Sequence, residues 1–229
     1  MTELRAYHGD PAIKAKYLAR VRAHREADRL IQGTGWEGGK GCAVGCTLEA
    51  YDHNLYEDEL GIPATLAYLE DRIFEGLDVA TSQHWPERFL LAIEPGADLS
   101  RVTGRFLLWL LSGKNSPIAK WRDSETIRAV AKLYRRRLTD DEPTMMEWVN
   151  AATAAERAGV KVGVIGAVEP RAARAHLAAW SSARYGWGAK AAPGNAARIA
   201  SNGAASAWIT MSNKLEELIK AAPVKEDAL

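Results

Sequence analysis

Apolar residues along this chain recur at spacings of three and four, the period of an α-helix, and seldom with the alternation of a half-buried strand. Leu66, Leu69, Ile73 and Leu77 make one such stripe, Val102, Phe106, Trp109 and Leu110 a second, Ile127, Val130, Tyr134 and Leu138 a third, and Trp208, Met211, Leu215 and Leu218 a fourth. Start and stop signals bracket them. Asp10-Pro11, Ser100 and Ser124 are placed to begin helices, and Gly76, Gly113 and Gly159 to end them. The first helix is expected to run from Pro11 to Ile31, because nothing in that span breaks one. Thr47 is placed to cap a second through Tyr51 and Leu55, and Ile62-Pro63 to start a third. Val160 to Val168 mixes β-branched residues with Gly and Lys as a short strand would, but no second strand-like run exists to pair with it. An apolar connector or a helical turn is expected there. The fold class that follows is all-α, a multi-helix globular bundle of roughly eight to ten helices with no substantial sheet.

One helix breaks its own pattern. On the first, Ile13, Tyr17, Val21 and Ile31 form the apolar stripe, and His24 and Asp28 fall in the middle of it, one turn apart. Burying polar atoms without partners costs roughly 1–3 kcal/mol each. Either the two side chains satisfy one another as a structural pair, or Asp28 orients His24 as a base.

The second irregularity is Gln32 to Thr47, which holds six glycines and both cysteines. Glycine at this density implies backbone at positive φ or in close contact with other groups, and the interleaved Trp36, Cys42, Val44 and Cys46 favour burial over a solvated linker. A packed loop is expected. Three chemistries compete with a purely structural role. Gly38, Gly39, Lys40 and Gly41 offer amides and a cation for a phosphate, although a phosphate-binding loop places Ser or Thr after its lysine and Gly41 stands there. Cys42, Cys46 and His53 offer metal ligands, zinc by ligand type, although structural zinc sites show two full ligand pairs. Cys42 or Cys46 could act as a nucleophile, with His24 as base, Asp28 as its orienter and the loop amides as oxyanion donors.

Four blocks, His8-Gly9-Asp10-Pro11, Ala23-His24-Arg25-Glu26-Ala27-Asp28, Gly39-Lys40-Gly41-Cys42-Ala43-Val44-Gly45-Cys46-Thr47 and Leu60-Gly61-Ile62-Pro63, make roughly the first half of the chain resemble a family of hypothetical proteins from bacteria and their phages. The resemblance bears on origin and implies no activity.

Charge divides the chain. The net charge of +1 hides 10 Lys and Arg against 17 Asp and Glu in residues 1–100, with 20 against 12 in the rest. Residues 1–113 read as an acidic helical half carrying the Gly/Cys loop, and 114–229 as a basic half rich in Ala and Trp. Together they form one compact domain or two closely packed halves. The basic half, with Arg171, Arg174, Arg184, Lys190 and Arg198 among Trp180, Tyr185 and Trp187, suits a solvated helix face or a nucleic-acid surface. Two cysteines, no apolar leader and no long apolar run point to a reduced cytoplasmic protein with no membrane segment. With no catalytic constellation complete, an interaction or structural protein that binds a protein partner or a second copy of itself is the preferred expectation. The thiol enzyme, the metal site and nucleic-acid binding stand as alternatives.

Overall fold

The computed structural model describes residues 4–165 and 170–224, and 67% of the described residues are helical. Among the described residues, nine helices of seven or more residues and a two-stranded ribbon account for the architecture, the all-α bundle that the apolar periodicity predicts. Among the described residues no helix is long and apolar enough to cross a membrane. The chain forms two compact units. Unit 1 is Met1–Val102 with Ser212–Leu229, and unit 2 is Thr103–Met211.

Unit 1 opens with a short 3-10 turn, Ala6–Gly9, and helix α1, Pro11–Glu26. Asp10 caps α1 as expected, its Oδ1 accepting from the Ala12 amide at 2.7 Å, with Pro11 at the first helical position. The helix stops five residues before Ile31. Asp28 takes a positive φ of 52°, and the chain leaves the helix to pair with the loop that follows. The Ile31 amide donates to the Gly41 carbonyl at 2.8 Å, and the Gly41 amide donates to the Arg29 carbonyl at 3.0 Å. Long-range backbone pairing outweighs the helical pattern here, and aspartate is one of the few residues that enters the left-handed region readily.

The glycine-rich stretch then makes strands β1 (Trp36–Glu37) and β2 (Lys40–Gly41), joined through Gly38 and Gly39. Both turn glycines have positive φ, 57° and 76°, the requirement of a two-residue hairpin turn whose twist matches its strands. Helix α2, Ala43–Leu48, follows at once, and Ala43 to Thr47 are all buried. Thr47 lies inside α2 and bonds back to the Ala43 carbonyl instead of capping a new helix. Gly45 is indispensable, since a Cβ there would lie 1.9 Å from the Gly35 carbonyl oxygen. The expected packed loop is therefore a hairpin pressed onto the start of a buried helix.

Helices α3 (Leu55–Leu60), α4 (Ala64–Gly76), α5 (Val79–Ser82) and α6 (Trp85–Ala92) complete the sequential part of unit 1. α4 buries Leu66, Leu69 and Ile73, and with them Glu70 and Asp71. The C-terminal segment returns to this unit, where the Asp98 amide donates to the Pro223 carbonyl at 2.8 Å and Arg88 pairs with Glu216 at 2.5 Å.

Unit 2 contains α7 (Val102–Ser112) from its second residue, α8 (Glu125–Arg137), α9 (Met145–Ile165), α10 (Pro170–Tyr185) and α11 (Ala192–Ser201), and the first part of α12 (Ala205–Lys220). Its core packs Tyr134 edge-on against Trp148, with the tyrosine hydroxyl donating to the Ser182 carbonyl at 2.6 Å. Gly159 does not end α9. A Cβ there would come within 3.2 Å of Leu177 and 3.3 Å of the Ala173 carbonyl, so this glycine lets α9 and α10 approach closely. Most of the strand-like run from Val160 is thereby helical, and 166–169 lie outside the described residues.

Candidate metal centre

Cys42 is the N-cap residue of α2, its sulfur accepting from the Gly45 amide at 3.5 Å, and its side chain is buried. The hairpin sets its position through the Cys42 amide, which donates to the carbonyls of Thr34 at 2.7 Å and Gly35 at 3.1 Å. α4 brings two carboxylates to the thiol. Asp71 and Glu75, four residues apart and so on one helix face, place a carboxylate oxygen each within 4.8 Å of the Cys42 sulfur and of one another. The start of the glycine-rich stretch is tied to the same helix end. Gln32 Nε2 donates to the carbonyls of Phe74 at 2.7 Å and Leu77 at 2.9 Å, and the Gly33 amide donates to Glu75 Oε2 at 2.8 Å.

Asp71 is the centre of the cluster. Its Oδ2 lies 3.2 Å from His53 Nε2 and accepts from the Tyr51 hydroxyl at 3.4 Å, whereas its Oδ1 is buried without a hydrogen-bond partner. His53 is buried too, stacked on Tyr68 at 4.0 Å between ring centroids and held edge-on by Tyr51. Burial, then the nearby Asp71 charge, pushes the Cys42 thiol far above the ordinary thiol range. The same two causes push Tyr51 up to about 12, and burial raises Glu75. A buried thiol that converges with two carboxylates makes a place to take up a proton or a metal cation.

Beside this cluster lies a second buried carboxyl. Glu70 is fully buried and accepts from the Tyr56 hydroxyl at 2.6 Å, and its Oε1 has no partner. Burial, with the Asp71 charge adding to it, raises Glu70 well above the usual carboxylate range.

The residues singled out in the sequence are distributed differently from the expected constellations. Asp28 is exposed beyond the end of α1 and forms no hydrogen bond or ion pair with His24 among the described residues. His24 is buried, with Nε2 3.4 Å from Glu49 Oε1, its ring edge-on to Trp36 and Nδ1 unpartnered. Cys46 donates to the carbonyls of Gly41 at 3.3 Å and Arg29 at 3.4 Å, and burial pushes its thiol up to about 11. The two thiols are free, and the order of groups at Cys42 is thiol, carboxylate, imidazole. A nucleophile needs the imidazole next to its sulfur. Of the anticipated metal ligands, Cys42 is at the cluster, His53 stands behind Asp71 and Cys46 faces away toward backbone. Gly38 and Gly39 form the hairpin turn, Lys40 is exposed on β2, and Gly41 spends its amide and carbonyl on Arg29 and Ile31.

Asp71, Glu75 and Glu70 were not anticipated, yet one signal for them was present. Glu70 falls four residues after Leu66 and three before Ile73, within the apolar stripe of α4, the same misplacement that marks His24. No family model, no curated protein and no solved structure matches this chain.

Proposed function

We propose that unit 1 is a metal-binding module in which a divalent transition ion of the zinc type is held by the Cys42 thiolate, Asp71 and Glu75, fastening the hairpin and α2 to α4. The observation that carries this reading is the convergence of those three ligand atoms within 4.8 Å of one another, on an Asp71 carboxylate whose Oδ1 is buried without a hydrogen-bond partner. At such separations two like charges repel by roughly 3 kcal/mol at an effective dielectric near 20, and a central cation turns that repulsion into attraction. One soft sulfur with two hard oxygens suits zinc or its neighbours better than magnesium or calcium, which take oxygen alone. His53 fills the outer position usual for a metal-bound carboxylate, fixing the orientation of Asp71. An ion on three protein ligands draws its fourth from water or from a partner molecule.

Elemental analysis of protein purified without added metal tests the proposal, with about one zinc-class ion per chain expected. Chelation should then lower the melting temperature, since a ligand present at about 100 times its Kd contributes roughly 2.7 kcal/mol. Metal-free protein whose melting temperature does not respond to added zinc would overturn it.

A second reading, binding of a protein partner or a second copy, is favoured by the start of α9, where Met145, Met146 and Val149 are exposed together. Met145→Glu with Met146→Glu should abolish any self-association seen by light scattering, and a monomer that binds no partner removes this reading.

A further inference from the structure

Unit 2 is strongly basic. Residues 103–211 hold 16 Lys and Arg against 8 Asp and Glu, a net charge of +8. Within this unit lies a cleft of about 510 Å³, inside the usual size range of small-molecule sites. Lys120, Arg171 and Arg174 line it, and no Asp or Glu does.

The two arginines lie on the first turns of α10, where the helix dipole disfavours cations. Both are exposed, and neither has an ion-pair or hydrogen-bond partner among the described residues. Two arginines of the same unit are paired, Arg136 with Asp141 and Glu147, and Arg137 with Glu142. An anion in the cleft would offset the unfavourable placement of Arg171 and Arg174. The first turn of α12 borders the same space with Ser206, and a helix start presents amides that have no partner within the helix. The carboxyl end of α11 also meets the cleft, but the Ser201 carbonyl is already taken by the Ala204 amide at 2.9 Å. Trp121, half-buried, adds a flat aromatic wall, with Lys120 Nζ 5.5 Å from its ring centroid. Thr210 adds a hydroxyl on the α12 side.

A bare inorganic anion would use the cations and leave the aromatic wall and most of the volume idle. We infer that this cleft binds a phosphorylated small molecule of the nucleotide class, with its phosphate between Arg171, Arg174 and the start of α12 and its planar ring on Trp121.

Calorimetric titration of the full chain with adenosine monophosphate, adenosine and inorganic phosphate, at low and moderate salt, tests the inference. Adenosine monophosphate should bind at one site per chain. Inorganic phosphate should bind at least tenfold more weakly, adenosine should not bind, and added salt should weaken the phosphate-bearing ligands. Arg171→Gln with Arg174→Gln should weaken adenosine monophosphate at least tenfold, and Arg171→Lys with Arg174→Lys should recover part of that loss. These side chains are exposed, so the melting temperature should hold. Trp121→Leu should bring the nucleotide down to the affinity of phosphate. Absence of nucleotide binding to wild type in the millimolar range, or equal binding by the Gln variant, overturns the inference. So does equal affinity for phosphate and nucleotide in the wild type. A single-stranded oligonucleotide that binds far more tightly than the mononucleotide, with a salt slope of many phosphates, overturns it in favour of a nucleic-acid surface.

Discussion

Replacing Glu70 by Gln should make the protein more stable at neutral and alkaline pH, against the common rule that a buried side chain is best left alone. Glu70 is fully buried and its carboxyl is raised well above the ordinary range, so the folded state holds a proton there that the unfolded chain releases near pH 4.3. The sign follows from proton counting. Above that pH the native state binds one proton more than the unfolded state, so stability falls with rising pH until the folded carboxyl also ionises. The slope is about 1.4 kcal/mol per pH unit. Gln carries no such penalty. Its carbonyl can still accept from Tyr56, and its amide would occupy the place of Oε1, which has no partner in the native protein either. The two proteins should therefore match to within about 1 kcal/mol near pH 4, and the variant should lead by roughly 2–3 kcal/mol two pH units higher. Urea unfolding followed by circular dichroism at pH 4.5, 5.5, 6.5 and 7.5 measures the difference directly. A difference that stays constant with pH, or a variant that loses ground as pH rises, would refute the reasoning, because Glu70 would then be ionised in the fold.

Two further outcomes are expected. Gly45→Ala drives a Cβ to within 1.9 Å of a backbone oxygen, so it should cost more than the roughly 1–3 kcal/mol typical of overpacking. Gly159→Ala, which meets the Leu177 side chain at 3.2 Å, should cost less, and paired thermal melts compare them. Both thiols should be slow toward a disulfide reagent. With Cys46 at about 11, roughly a thousandth of it is thiolate at pH 8, and Cys42 is still less ionised, so the metal-free protein should react more than tenfold more slowly folded than unfolded. Rapid stoichiometric reaction of one native thiol would restore the nucleophile reading.

Much of the helical layout was legible locally, because caps and stripes are local signals. Asp10-Pro11 begins α1 as its sequence predicts, and the stripe of α4 is buried as expected. Misplaced boundaries trace to contacts made over distance. α1 ends early because Arg29 and Ile31 pair with Gly41, and α9 passes through Gly159 because α10 packs against it. The site was half legible. Cys42 stood out within its glycine-rich stretch, and the density of glycine correctly marked close packing. Its carboxylate partners lie nearly thirty residues or more further on, on a helix whose apolar stripe drew attention to the wrong residues. His24 with Asp28 was the more visible pair on paper, but it requires a helical turn at a point where the backbone has already become left-handed.

Cobalt(II) titration of the full chain tests the central claim most directly, because a thiolate bound to cobalt gives a charge-transfer absorption that oxygen and nitrogen ligands do not. One equivalent should produce that band with release of protons, since burial and Asp71 keep the Cys42 thiol protonated before metal enters. Cys42→Ser should abolish it, Asp71→Asn should weaken binding at least tenfold, and Cys46→Ser should leave both band and affinity unchanged. A band that survives Cys42→Ser and disappears with Cys46→Ser, or no band in the wild-type protein, would contradict a metal centre built on Cys42, Asp71 and Glu75.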